Sequence, residues 1–284
     1  MNIDIILGAA ELGLVYSLLS LGLFVTFRIL NIPDMTVDGT FVLGAAISVI
    51  FCIWGHPVLA LLIAFVGGGI IGSITAILYL RFKITPILAG ILVMLSLYSI
   101  NLRIMSYKPN LSLTDEKTIF SEIVNDRLLI LFIVILVYTL IAFFFKTRMG
   151  VSLRATGMNA AMANSQSINA NFMKMTGFAL GNGLVALSGG ILAQQQEFVD
   201  VNMGTGMVVI GLASIVIGEV LVKAESTTMK IISALIGSIV YRLFISLALQ
   251  IGMRPTDLKL VSALIVIIAI SVSNVVGKKN VEVR

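Results

Sequence analysis

An all-α bundle of about 8–10 membrane-spanning helices is the fold class this sequence predicts, and three observations carry it. First, 58% of its 284 residues are hydrophobic and 12% are charged, too few charges to cover the surface of a water-soluble globule of this size. Second, apolar runs of about 18 residues or more recur along the chain, each long enough at 1.5 Å per residue to cross a hydrocarbon core of about 30 Å. Third, those runs are continuous mixtures of Leu, Ile, Val, Ala and Gly. A β-barrel would show short segments alternating in polarity, so helices that satisfy their own backbone are expected.

The runs and their charged or Pro/Gly punctuation place segments near 5–30, 36–54, 58–80, 85–105, 127–146, 172–196, 205–222, 229–250 and 256–276, all within one transmembrane domain spanning 1–284. Two connections are too polar for simple turns: 106–126 and 147–171. Basic residues fix the orientation. With 147–171 on the cytoplasmic side, Arg28, Arg81, Lys83, Lys146, Arg148, Arg154, Lys174, Lys223, Lys230, Lys278, Lys279 and Arg284 lie inside. Arg103, Lys108, Lys117, Arg127, Arg254 and Lys259 lie outside with acidic Asp115, Glu116, Glu122 and Asp126, which makes 106–126 an extracytoplasmic loop and the N-terminus external. The net charge of +5 is therefore a topology signal, and nucleic-acid binding is not expected.

A short internal repeat is visible. Residues 38–46, DGTFVLGAA, align without gaps on 205–213, TGMVVIGLA, at an offset of 167 that also places Gly22 on Gly189. Five helices apart, the copies would run in opposite directions, as in inverted-repeat transporters; shared use of Gly and Ala in membrane helices is the plainer explanation.

Enzymatic constellations are missing from the sequence. His56 is the one histidine and adjoins Pro57 at a segment end, and Cys52 is the one cysteine, in an apolar run, so neither a triad nor a metal cage has its partners. No G-x-x-x-x-G-K-[ST] phosphate loop occurs. The chain is expected to be a non-catalytic membrane subunit without a cofactor of its own.

Polar residues inside apolar runs are costly in lipid unless they face a cavity or one another. Tyr16, Asp34, Asp38, Thr40, Asn101, Asn182, Gln194 and Gln195 are the candidates for a substrate path. Several have a plainer reading. Asp34 and Asp38 flank the start of a segment interrupted by Pro33 and Gly39 and could cap it. Asn182 lies among Gly177, Gly181 and Gly183, where interhelical hydrogen bonding is as well suited as substrate contact, and the Gln194–Gln196 run could be solvated at an interface. In 150–169, Asn159 is suited to cap a short helix over Ala160–Ala163, a segment that could dock on a soluble partner or remain a solvated loop.

The pattern G-x-x-x-R-A-x-G-x-N-x-x-x-A-x-x-x-x-I-N, present as Gly150, Arg154, Ala155, Gly157, Asn159, Ala163, Ile168 and Asn169, resembles the cytoplasmic coupling loop of the ATP-binding cassette importer permeases for ribose and branched-chain amino acids. Residues 13–46 resemble that family's opening helices and the broken segment after them, and the likeness extends from about residue 8 to residue 275. Within the family the chain most resembles the permeases assigned to aromatic amino acids, tryptophan and tyrosine. The resemblance implies a homodimer in the cytoplasmic (inner) membrane, two cytoplasmic ATPase subunits holding ATP and Mg, and an extracytoplasmic binding protein. It leaves open an amino acid or a ribose- or nucleoside-like solute, and an ion-gradient-driven transporter using Glu11, Asp34, Asp38 or Glu219 is the rival. The family usually places Gly before the Ile-Asn pair; Ser167 stands there and puts the turn geometry in question.

Overall fold

The structure is a computed structural model that describes residues 3–114, 116–121, 126–222 and 226–254, with residues 257, 260, 262–265 and 267. Most of the expected segment 256–276 lies outside the described residues, as do Asp115, Glu122, Lys223, Lys259, Lys278, Lys279 and Arg284.

Among the described residues ten α-helices and two short strands follow in order: α1 (Ile3–Leu23, continued by a π-helical stretch Phe24–Ile29), α2 (Val37–Ile53), α3 (Pro57–Leu80), α4 (Pro86–Ile104), β1 (Asn110–Ser112), α5 (Asp126–Phe144), α6 (Arg148–Met158), α7 (Ala160–Ser165), α8 (Ala170–Gln196), β2 (Phe198–Asp200), α9 (Met207–Leu221) and α10 (Thr227–Gln250). Eight of the nine expected segments are present within a few residues of their anticipated ends. Six of the described helices are long and apolar enough to cross a membrane. The 17 residues of α2 and the 15 of α9 give only about 26 and 22 Å, short of a full core of about 30 Å. Both start inside the bundle.

The centre is an antiparallel pair, α1 and α8. A methyl group on Gly22 would stand 2.4 Å from the Gly181 carbonyl, and one on Gly181 would stand 2.9 Å from the Gly22 carbonyl, so the two backbones meet where only glycine fits. One helix face farther along, Ser188 Oγ donates to Val15 O at 2.8 Å. Around this pair the neighbours are arranged twice. Helix α2 runs along α8 with Gly44 against Ala186, as α9 runs along α1 with Gly211 against Leu19 and Leu23. Helix α3 crosses α8 at Gly68 and Asn182, as α10 crosses α1 at Gly13 and Ile239. Shifting α1 by 167 gives α8 residue for residue, 3–29 onto 170–196. The inverted repeat hinted at by nine residues is therefore an architectural feature of the helices α1–α3 and α8–α10.

Side chains on α3, α4 and α5 point outward in large numbers, among them Leu62, Val66, Leu95, Phe132 and Phe143, each more than half exposed and suited to lipid. The described basic residues of the two orientation groups fall at opposite ends of the bundle: Arg28, Arg81, Lys83, Arg148 and Lys230 at the end carrying α6 and α7, and Arg103, Lys108, Arg127 and Arg254 at the end carrying β1 and β2. The antiparallel pairing of β1 with β2, Leu111 opposite Val199, was not anticipated in the polar connection 106–126, because a three-residue strand leaves no periodic signal.

The polar segment 147–171 is mostly helical. Helix α7 begins as expected, with Asn159 Oδ1 accepting from Met162 N at 3.0 Å. Helix α6 before it was missed, since RMGVSLRATGM has two glycines and little apolar periodicity. Thr147 caps it, accepting from Gly150 N at 3.3 Å, and the bundle buries Gly150, Leu153 and Thr156.

Candidate functional site

Two neighbouring arrangements hold the functional candidates: the elbow formed by α6 and α7, and the interior region where α2 and α9 start.

At the elbow the glycines are positions of closest approach. A methyl group on Gly150 would lie 2.3 Å from Phe144 O, and one on Gly157 only 1.7 Å from Ile29 O at the π-helical end of α1. Asn31 Nδ2 donates to Gly157 O at 3.2 Å, and Arg154 Nη1 donates to Thr227 Oγ1 at 2.7 Å. The elbow thus touches the end of α1 and the start of α10, one helix from each half of the repeat. Ala163 is buried, Ile168 packs against the main core, and Asn169 caps α8 by accepting from Phe172 N at 3.0 Å. Ser167 adopts φ 62°, the left-handed conformation that glycine favours, at a backbone cost of about 1 kcal/mol. Between elbow and bundle lies a cavity of about 730 Å³ lined by Arg28, Arg154, Ala155, Glu219, Thr227 and Lys230, with Arg28 and Glu219 ion-paired across it.

At the interior start of α2, three of the path candidates, Asp34, Thr40 and Asn182, form part of one closed network. Asn182 Nδ2 donates to Asp34 Oδ2 at 2.7 Å and to Phe178 O at 3.1 Å, while its Oδ1 accepts from Thr40 Oγ1 at 2.9 Å. Asp34 Oδ1 accepts from Thr36 N at 2.9 Å. Thr75 Oγ1 donates to Ile71 O, which leaves Thr36 Oγ1 as the donor in the 3.0 Å contact between the two threonines. All five residues are almost completely buried. Asp34 therefore departs from its plainer reading as a cap of α2, whose N-cap Thr36 has no side-chain cap bond: it holds the turn before the helix through Thr36 N, and Asn182 joins α8 to it. Thr36 and Thr75 were missed because a lone threonine in an apolar run commonly satisfies itself on its own helix.

Asp38 departs from the expectation that it caps its own helix. It lies in the first turn of α2, but its oxygens accept from Gly206 N and Val208 N, each at 2.9 Å, so it caps α9. Gly206 has φ 89° and offers no side chain of its own for that role. Asp38 and Asn101 line a cavity of about 200 Å³ with Met94, Tyr98, Asn202 and Thr205, where α2, α4 and the approach to α9 meet. Asn101 Nδ2 donates to Gly39 O at 3.2 Å, and its buried Oδ1 has no partner.

Tyr16 lies between Phe41, stacked at 6.1 Å, and Arg242, whose guanidinium sits 3.6 Å from its ring centre. Gln194 is fully buried, which overturns its reading as solvated: its Nε2 donates to Ser48 Oγ at 2.9 Å and Pro57 O at 3.0 Å, and its Oε1 accepts from Ile119 N at 3.0 Å. Solvation does hold for Gln196, which is exposed, while Gln195 is part-buried with an unpartnered Oε1. Among the described residues there is no group of three or more His, Cys, Asp or Glu that could hold a metal ion.

Comparison with known proteins agrees with this architecture. The chain is 40% identical over 263 residues to a tyrosine transport system permease protein of Clostridioides difficile, covering 92% of this chain and 89% of that one. It is 28% identical over 236 residues to a probable branched-chain amino acid transport permease of Methanocaldococcus jannaschii, covering 73% of each, and 35% identical over 276 residues to an uncharacterized protein of Rickettsia prowazekii, covering 94% and 97%. No solved structure matches the chain significantly. The model of the family described as branched-chain amino acid transport system, permease component, matches residues 5–271, and the chain belongs to that family.

Proposed function

We propose that this multi-pass inner-membrane permease is the translocating subunit of an ATP-driven importer of an aromatic or branched-chain amino acid, working as one of two identical permease chains. In this reading 147–171 faces the cytoplasm and presents α7 to a separate ATPase that binds ATP and Mg, while the strand end faces a substrate-delivering binding protein. The observation that carries it is the elbow: its Arg154 and Gly157 join α10 and α1, one helix from each half of the repeat, so a partner that moves the elbow moves both halves. Energy from ATP could then favour the inward- and outward-facing arrangements differently. The tyrosine transport relative supports an aromatic substrate. An ion-gradient mechanism finds less support. Three of the four carboxylates it would use are tied to side-chain partners: Glu11 to Arg127, Glu219 to Arg28, and Asp34 to Asn182.

The test is uptake of L-tyrosine and L-leucine into proteoliposomes holding the permease, its ATPase and its binding protein. Uptake should require ATP, and Arg154→Gln should lower it at least tenfold while the permease–ATPase complex still purifies intact. Uptake by the permease alone, collapsed by an ionophore and indifferent to ATP, would overturn the reading.

A further inference from the structure

In the cavity beside Asp38 an unsatisfied buried carbonyl, Asn101 Oδ1, coincides with open space. We infer that this cavity binds a primary ammonium group, the amino end of a substrate zwitterion, with Asn101 Oδ1 and the Asp38 carboxylate as its acceptors. The inference rests on the amino-acid reading above and deepens it.

Three features of the site carry it. The Asn101 side chain is 1% exposed and stands on the cavity wall. Its orientation is fixed by chemistry: Gly39 O, 3.2 Å away, can only accept, so the amide nitrogen must face it and the oxygen is left over. A buried carbonyl without a donor costs about 1–3 kcal/mol, a cost that a donor arriving in the cavity would remove. Among the described residues Asp38 is the one charged side chain on that wall. Its oxygens accept from Gly206 N and Val208 N, which holds the carboxylate in place and leaves further lone pairs on both oxygens.

The rest of the wall suits the remainder of an amino acid. Met94, Leu95 and Tyr98 from α4 form an apolar and aromatic side, and the phenol ring offers a face on which a cation is attracted. A volume of about 200 Å³ is of the order of one amino acid. The position also suits a transport site, because two interrupted helices, α2 and α9, begin beside it. By contrast, every side-chain oxygen and nitrogen of Asp34 and Asn182 already has a protein partner, so neither residue carries an orphaned buried atom like Asn101 Oδ1.

Charge-selective thiol labelling tests the site without assuming a substrate. Thr205 is exposed on the cavity wall, and the natural Cys52 is fully buried. Thr205→Cys in the full chain in membrane vesicles is reacted with aminoethyl methanethiosulfonate, which carries an ammonium, and with sulfonatoethyl methanethiosulfonate, which carries a sulfonate. The ratio of the two rates is compared with that for Asn110→Cys, an exposed position at the same end of the bundle. The ammonium reagent should be favoured about tenfold more at position 205 than at 110. Adding Asn101→Leu or Asp38→Asn should return the ratio toward the reference, and the first ratio stands even if one of these variants fails to fold. Equal ratios at 205 and 110, or a preference for the sulfonate, would overturn the inference. If L-tyrosine uptake by the complete transporter is ATP-dependent while the ratios are equal, the site falls and the importer reading stands. If the ammonium preference is found but no amino acid is carried, the site stands and the importer reading falls.

Discussion

The starts of α2 and α9 are equivalent by the repeat, yet they are held by opposite means. At α2 the turn is locked by Asp34, Thr36, Thr40 and Asn182, each donor and acceptor engaged inside the protein. The offset of 167 places Val201, Met203, Met207 and Val15 at the equivalent positions, all apolar. Helix α9 therefore has no polar network of its own and borrows its cap from Asp38, across the interface. The backbone architecture is duplicated and its chemistry is not. The difference leaves one start rigid and the other dependent on a carboxylate that also borders open space, which is the kind of inequality a moving transporter element requires.

The largest expected effect breaks the packing side of this comparison. Gly44 and Gly211 are equivalent glycines, but a methyl group at Gly44 would stand 1.9 Å from the backbone carbonyl of Ala186, whereas at Gly211 it would meet Leu23 Cδ1 at 2.2 Å, the movable end of a side chain. Gly44→Ala should cost about 3 kcal/mol or more and lose the folded monodisperse protein in detergent, while Gly211→Ala should cost about 1 kcal/mol. Thermal unfolding followed on a size-exclusion column checks both, and equal losses would show that the halves pack alike.

A second, smaller effect addresses the network. Asn182→Leu leaves Asp34 Oδ2 without its partner, while the Thr40 hydroxyl keeps Thr36 O, and should destabilise by about 2–3 kcal/mol, measured as a lowered melting temperature. Its equivalent, Val15, lies in an apolar setting, so Val15→Ala should show only the loss of two methyl groups, about 1–2 kcal/mol.

The smallest effect concerns the borrowed cap. Asp38→Ala frees the Gly206 and Val208 amides and should cost about 1–2 kcal/mol, with faster hydrogen exchange concentrated at the first turn of α9. Thr205→Ala, at the equivalent position, should change stability by less than about 0.5 kcal/mol. Exchange that rises equally at α2 would mean that the two starts are coupled and not unequal.

The amino-acid sequence by itself determined the helices, their order and which ends share a side. Hydropathy requires only local composition, and lipid forces every apolar run of sufficient length into a self-satisfied helix. It also determined the Asn159 cap, whose acceptor and donor are three residues apart. Tertiary structure alone decided the roles of the polar residues. Asp34 finds Asn182 at a separation of 148 residues, Asp38 finds Gly206 at 168, and Gln194 finds Ser48 at 146, so no local rule could say which of them would be saturated, which would cap a foreign helix and which would border a cavity. Helix α6 belongs with these, because its glycines are poor helix formers chosen for the carbonyls of Phe144 and Ile29 that press against them, a requirement visible only once the chain has folded.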